Sequence, residues 1–414
     1  MAEKEHYNIF AEPQRRMSII PLSSKNLLYN RPSLQSYDAR HTDYRFQSRP
    51  ESSPMPCSAL RPKIPSLPLR YLGWCVAGLL MLAACSAPYT RPAAPDNVIP
   101  ALYQDHAVMA DGYLLPVSVW RPPDDVPVRA VVLALHGLND YRHAFAAVGP
   151  ALAAHGIVTY AYDQRGFGET QAAGMWHGSR RLAQDMRAMA KLLRSAYPGR
   201  PLYALGESLG GAVLLGSLQQ TPPAIDGMIL IAPAVWARGT MPLLQRVSLW
   251  LAAHLTPAET VTGKFLHIAP SDNLKMLRAL HDDPLIIKAT RIDVLYGTAD
   301  LMDRAYAAAP RLLMPAFILY GKHDQIIPPQ PVCSMLKKLP RGEQRHWRMA
   351  YYPDGYHMLT RDLHAATVIA DISAWVLNPH ALLPSGDEIL TRTEAQPSFC
   401  ARQPAALQRY IDSE

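Results

Sequence analysis

Leu202–Gly216 reads LYALGESLGGAVLLG. Leu202–Leu205 has the length of a short buried strand, and Ala212–Leu218 reads as the apolar side of a helix. At the join only Glu207 and Ser208 carry polar side chains. A sharp strand-to-helix turn accounts for this spacing. It forces its central residue into a sparsely allowed backbone region, where side chains two positions either way would collide with strand and helix. Gly206 and Gly210 lack a Cβ and fit there. Ser208 is left alone at the tip, above the first turn of a helix, as in the G-x-S-x-G nucleophile elbow. A bystander serine in a glycine-rich loop would lack the flanking strand and helix that the motif requires.

Around this stretch, apolar strands alternate with amphipathic helices. HAVMADGYLLPVSVWRP reads as a hairpin turning at Asp111-Gly112. RAVVLALHG, IVTYAYDQRG, PLYALG, DGMILIAPA, PAFILYG and HWRMAYYP read as further strands. Helices are expected over 142–155, over GSRRLAQDMRAMAKLLRSAYPG and over 363–376. Such alternation implies an α/β fold with a mostly parallel sheet covered on both faces. The stretch between MILIAPA and PAFILYG is too long for an ordinary crossover. Residues 235–312 are therefore expected to form a helical cap, with Leu243, Val247, Trp250, Leu251 and Leu255 on one helix face. That face suits packing on a neighbour and could also touch lipid. The core is expected over 105–234 and 313–380, and a loose tail over 381–414.

A serine hydroxyl is a weak nucleophile without a base, usually histidine, itself oriented by a carboxylate. Fifteen histidines leave the choice to topology: active groups lie beyond the carboxyl ends of the strands. His357 follows the last expected strand, and Asp324 directly follows PAFILYG. The order Ser208, Asp324, His357 is that of the elbow-bearing hydrolases. Asp354 is three residues from the base and poorly placed to orient it; Asp300 and Asp303 fall within the cap, and alternation points His323 elsewhere. The expected oxyanion donors are the backbone N–H groups of Leu209 and of Leu138, with His136 read as a structural residue.

The 414 residues are 49% hydrophobic and 18% charged, as in a globular protein of one or two domains. Of the charges behind the net +7, residues 1–84 hold 11 Lys/Arg and 6 Asp/Glu, leaving 30 and 28 elsewhere. The body is near balance, so no nucleic-acid partner is expected. Residues 1–66 lack hydrophobic periodicity and read as disordered or non-native, with translation expected to start at Met55. Over 67–85, Arg70 precedes a 14-residue apolar run ending in Leu82-Ala83-Ala84-Cys85. The run is short for a membrane span and suits a signal h-region, with an uncleaved anchor helix as the alternative. The stretch resembles a bacterial lipoprotein signal, which implies lipidation at Cys85, a membrane anchor and a linker over 86–104. Ser86 after the cysteine leans the expectation to the outer membrane, facing the periplasm. Cys333 and Cys400 would then lie in an oxidising compartment, their pairing left open. No metal spacing and no nicotinamide, flavin or phosphate fingerprint is present, so no cofactor is expected.

The set HGLND (136–140), DQRGFGET (163–170), GESLGG (206–211), the cap, YGKHDQIIP (320–328) and DGYHML (354–359) resembles the α/β-hydrolase superfamily. Within it, the set is similar to the monoacylglycerol lipase and lysophospholipase-like group of serine aminopeptidase S33-type hydrolases. The resemblance spans about residues 105–378 and implies a serine hydrolase of acyl esters. Glu207, Asn139-Asp140 and Thr170 depart from the group's usual residues, around the pocket and outside the triad. A thioesterase, a peptidase with the same triad, or a retired envelope binding protein remain alternative readings.

Overall fold

The computed structural model describes residues 88–263, 268–342, 346–388 and 400. Met55, the signal over 67–85 with Cys85, and the tail beyond 388 apart from Cys400 lie outside the described residues. Strands β1 (Ala101–Leu102), β2 (His106–Val108) and β3 (Leu114–Trp120) form an antiparallel meander. Its second turn is at Asp111-Gly112, where Gly112 has φ 74°. Then come β4 (Ala130–Leu135), helix α1 (Val148–Ala153), β5 (Ile157–Tyr162), α2 (Ser179–Ala196), β6 (Leu202–Glu207), α3 (Leu209–Ser217) and β7 (Gly227–Ile231). The long interval holds α4 (Leu243–Leu255), β8 (Thr260–Val261), α5 (Leu274–Asp282), β9 (Thr290–Arg291) and α6 (Ile292–Ala308). The chain closes with β10 (Ala316–Gly321), α7 (Pro329–Leu336), β11 (Trp347–Tyr352) and α8 (Ala365–Leu377).

Among the described residues, nine strands make one sheet in the order β1-β2-β3-β5-β4-β6-β7-β10-β11. From β5 to β11 every pairing is parallel, and β3 joins β5 antiparallel. Alternate residues of β4 enter opposite cores: Val131, Leu133 and Leu135 face one, and Ala130, Val132 and Ala134 the other. Both faces are therefore covered, which is why the central strands read as unbroken apolar runs. Each fully buried Val or Leu contributes about 1.5–3 kcal/mol.

Three expectations change in detail. The helix read over 142–155 is split into a 3₁₀ turn at Arg142–Phe145 and the short α1. Pro150 has no N–H to offer the Ala146 carbonyl, which stops one continuous helix, while the Arg142 N–H ties the start of the turn to the next loop through Asp163 Oδ1 at 2.8 Å. Within 235–312, α6 packs against α3 as part of the core: Leu301, Ala305 and Ala308 are buried, and Leu301 lies against Gly216. The apolar face expected on α4 is largely uncovered, with Leu243, Val247 and Leu255 exposed. Periodicity reports that a helix has two faces, but not what covers either.

Both ends of the body hold contacts. In the stretch read as a linker, Arg91 N–H donates to Trp176 O, and Asp96 pairs with Arg181. Beyond α8, Ser385 Oγ donates to Asp371 Oδ2 at 2.6 Å, and Glu388 pairs with Arg348 on β11. Cys400 forms a disulfide with Cys333 on α7. The stretch read as loose is thus tied down at these described points, by partners distant in sequence. No helix of the described residues is long and apolar enough to cross a membrane.

Candidate active site

The elbow is built as its glycines require. Ser208, between β6 and α3, has φ 52° and ψ −110°. A non-glycine residue there costs about 1–3 kcal/mol and persists only where its surroundings hold it. The Ser208 N–H donates to Ile231 O at 2.9 Å, and the Ser208 carbonyl accepts from Ala212 N and Ala234 N. A Cβ on Gly206 would stand 2.5 Å from Gly210 backbone, and one on Gly210 would stand 2.1 Å from Leu135 O. Strand and helix therefore meet closer than any side chain permits. Leu209 is the first residue of α3, at the end of the helix where N–H groups lack intrahelical acceptors.

The loop after β4 lies against the serine. A Cβ on Gly137 would touch the Ser208 Cβ at 3.5 Å. His136 holds this loop to the next one: its Nδ1–H donates to Gly137 O at 2.8 Å, and its Nε2 accepts from Gln164 N at 2.9 Å. Burial keeps the His136 pKa below the ordinary value, against the pull of Asp140 and Asp163. His136 is thus a neutral bridging residue. Asn139 takes φ 65°; its Nδ2 donates to Thr290 Oγ1 at 2.6 Å, and its carbonyl accepts from Ile287 N at 3.0 Å. The loop that carries Leu138 is thereby tied to the inserted segment.

Asp324 and His357 meet. His357 Nδ1–H donates to Asp324 Oδ2 at 2.8 Å, both side chains buried. The other carboxylate oxygen, Oδ1, accepts from Ile326 N and Ile327 N, both at 2.9 Å. These bonds leave the acid one orientation. Burial opposes a charge on His357, but the Asp324 carboxylate, followed by Glu207, outweighs it. The His357 pKa therefore stands above the ordinary histidine value.

The residues ranked lower are engaged elsewhere or exposed. Asp300 and Asp303 both bind Arg238, Asp354 is exposed, and His323 stacks on Tyr356. In DQRGFGET, Asp163 accepts from Arg142 N and Glu169 N, while Arg165 is buried between Asp111 and Asp185. One residue beside the site escaped sequence reasoning. Arg361 donates from Nη1 to Asp140 Oδ2 at 2.7 Å and from Nη2 to Glu207 Oε1 at 2.8 Å. The signal that points to it is Glu207 itself, because a carboxylate packed under the elbow needs a cation.

Comparison with known proteins agrees with this architecture. The family model described as serine aminopeptidase, S33 matches residues 126–364. Monoglyceride lipase of Mus musculus is 26% identical over 306 residues, covering 70% of this chain and 96% of its own. Monoacylglycerol lipase of Mycolicibacterium smegmatis is 25% identical, covering 64% and 94%. Among solved structures, a soluble variant of Saccharomyces cerevisiae monoglyceride lipase in complex with a substrate analog superposes with TM-score 0.56 at 20% identity. It covers 72% of this chain and 99% of its own. The matched span holds the elbow, both loops around it and the Asp324–His357 pair, and the chain belongs to the serine aminopeptidase S33 family of α/β-hydrolases.

Proposed function

We propose that the protein is a monoacylglycerol lipase or lysophospholipase-like serine hydrolase acting through Ser208, His357 and Asp324. The enzyme is a carboxylic ester hydrolase, as its curated lipase relatives support. The observation that carries the site assignment is the 2.8 Å bond from His357 to a doubly anchored Asp324. With Nδ1 committed to Asp324, Nε2 is the nitrogen that takes the Ser208 hydroxyl proton as Oγ attacks the ester carbonyl. The Leu138 and Leu209 N–H groups receive the oxyanion. Collapse of the tetrahedral species breaks the ester bond, and His357 returns the proton to the leaving alkoxide. Water then attacks the acyl-enzyme, giving its proton to His357, and the free acid leaves as Ser208 is reprotonated.

The substrate class rests on the relatives' lipase activity, and the exposed apolar face of α4 suits a lipid-borne substrate. The localisation rests on sequence: Cys85 is acylated and holds the enzyme to the outer membrane on the periplasmic side. The Cys333–Cys400 disulfide suits such an oxidising compartment. Labelled fatty acid should enter the chain and fail to enter Cys85→Ser; equal labelling of both sinks the anchor. For the activity, the purified protein and Ser208→Ala are compared on acyl esters of rising chain length, including monoacylglycerols and lysophospholipids. Hydrolysis that disappears in the variant is expected. Cleavage of peptide amides without cleavage of any ester would move the assignment to a peptidase.

A further inference from the structure

Arg361 is four residues beyond His357, and the reaction above makes no use of it. Its guanidinium stands where three segments meet. Nη1 binds Asp140, two residues after Leu138; Nη2 binds Glu207, immediately before Ser208; and Arg361 itself belongs to the histidine loop. These partners lie 221 and 154 residues away in the chain. The main chain of Arg361 is also fixed: its N–H donates to Met358 O at 2.8 Å, and its carbonyl accepts from Asn273 Nδ2 at 3.0 Å. Asp140 has its second oxygen on Tyr141 N at 2.8 Å, which fixes its carboxylate relative to its own loop.

The side chains of Arg361, Asp140 and Glu207 are only 9%, 7% and 2% exposed. A buried ionic triad is poor evidence for stability, because apolar residues of similar volume often serve as well. What a guanidinium adds is a planar fork that fixes the direction of each partner. Arg361 Nε and Glu207 Oε2 have no partner among the described protein groups, so the fork acts through Nη1 and Nη2.

We propose that Arg361 is a positioning residue for the hydrolysis: through Asp140 and Glu207, its guanidinium holds the oxyanion loop, the serine elbow and the histidine loop in one register. The proposal rests on the Ser208–His357–Asp324 reading. The charges that face His357 are Asp324 from the loop after β10, Glu207 from the end of β6, and Arg361 from its own loop. Glu207 stabilises the imidazolium, so removing its charge frees the base at lower pH.

The test uses the purified full chain with Ser208→Ala, Arg361→Lys, Glu207→Gln and, as control, Arg348→Met, which removes the ion pair with Glu388. One soluble ester reports kcat, KM and the pH profile of kcat/KM, and thermal melts report the folded fraction. Arg361→Lys keeps a charge without the fork; its kcat should fall on the order of 100-fold with KM little changed. Glu207→Gln should lower kcat and move the acidic limb to lower pH, which a merely packing role would not do. Arg348→Met should keep kcat. Full kcat with an unmoved limb in both site variants overturns the proposal, as do losses that only track the folded fraction. Hydrolysis retained by Ser208→Ala overturns the triad reading itself, and the clamp falls with it.

Discussion

Two buried arginines, Arg165 and Arg361, each bridge two carboxylates, and they differ in how many protein bonds they make and in which segments they join. Arg165 donates from Nε to Asp185 Oδ2, from Nη1 to Asp111 Oδ2, and from Nη2 to both Asp111 Oδ1 and Asp185 Oδ1. All four carboxylate oxygens are engaged, and its Cζ lies 4.1 Å from the centre of the Tyr113 ring. Arg361 uses Nη1 and Nη2 and leaves Nε unpaired. The first cluster joins the β2–β3 turn to α2 through the loop after β5; the second joins the segments around Ser208. The four engaged oxygens around Arg165 suit a role in the fold, whereas Arg361 ties together the three segments around Ser208.

The largest effect expected from this contrast is on folding. Arg165→Met leaves Asp111 and Asp185 buried without their cation, and breaking such a pair costs about 3–5 kcal/mol. Denaturant melts should show the loss, while kcat per folded molecule stays at the wild-type value. A variant that melts normally but turns over slowly would place Arg165 with the site and dissolve the contrast.

A smaller effect, on rate, is expected at the other cluster. Asp140→Asn keeps an oxygen for Tyr141 N but removes the charge that draws Arg361 to the loop carrying Leu138. The expected cost is roughly tenfold in kcat, or about 1.4 kcal/mol of barrier, with little change in melting. Steady-state kinetics on a soluble ester checks it; unchanged kcat would leave Glu207 as the only partner that matters.

The pH profile sharpens the same comparison. On the proposed mechanism His357 is the base and works when neutral, and the Asp324 carboxylate, with Glu207, raises its pKa against the effect of burial. The acidic limb of kcat/KM should therefore lie above about pH 6.5, the ordinary histidine value. The causes that dominate at His357 are burial, Asp324, Glu207 and Arg361, so variants at Arg165 should leave the limb in place. A limb that moves with Arg165 would show that the two clusters are coupled.

Much of this was legible in the sequence, for reasons that differ by residue. The elbow is a local backbone requirement, so Gly206, Ser208 and Gly210 declare it within five positions. Asp324 and His357 were reachable because each follows a strand whose apolar run marks its carboxyl end. Arg361 was not, because a cation's value depends on partners more than 150 residues away, and loop arginines have no periodicity to read. The same limit explains α6, whose apolar positions signal a helix but not that α3 covers them. It also explains Glu388, whose partner Arg348 lies on β11, 40 residues earlier.

The smallest effect concerns the serine's own backbone and separates strain from chemistry. Ser208→Ala and Ser208→Gly both remove the proposed nucleophile, so both should be inactive on every ester. They should not be equally stable. Alanine inherits φ 52° and its cost of about 1–3 kcal/mol, whereas glycine adopts that region freely. Glycine also loses more chain entropy on folding, about 0.5–1 kcal/mol, which offsets part of the relief. Ser208→Gly should therefore be more stable than Ser208→Ala by about 1 kcal/mol, read as a higher denaturation midpoint at equal slope. If Ser208→Gly is the less stable, the elbow holds no strain that its hydrogen bonds have not already relieved.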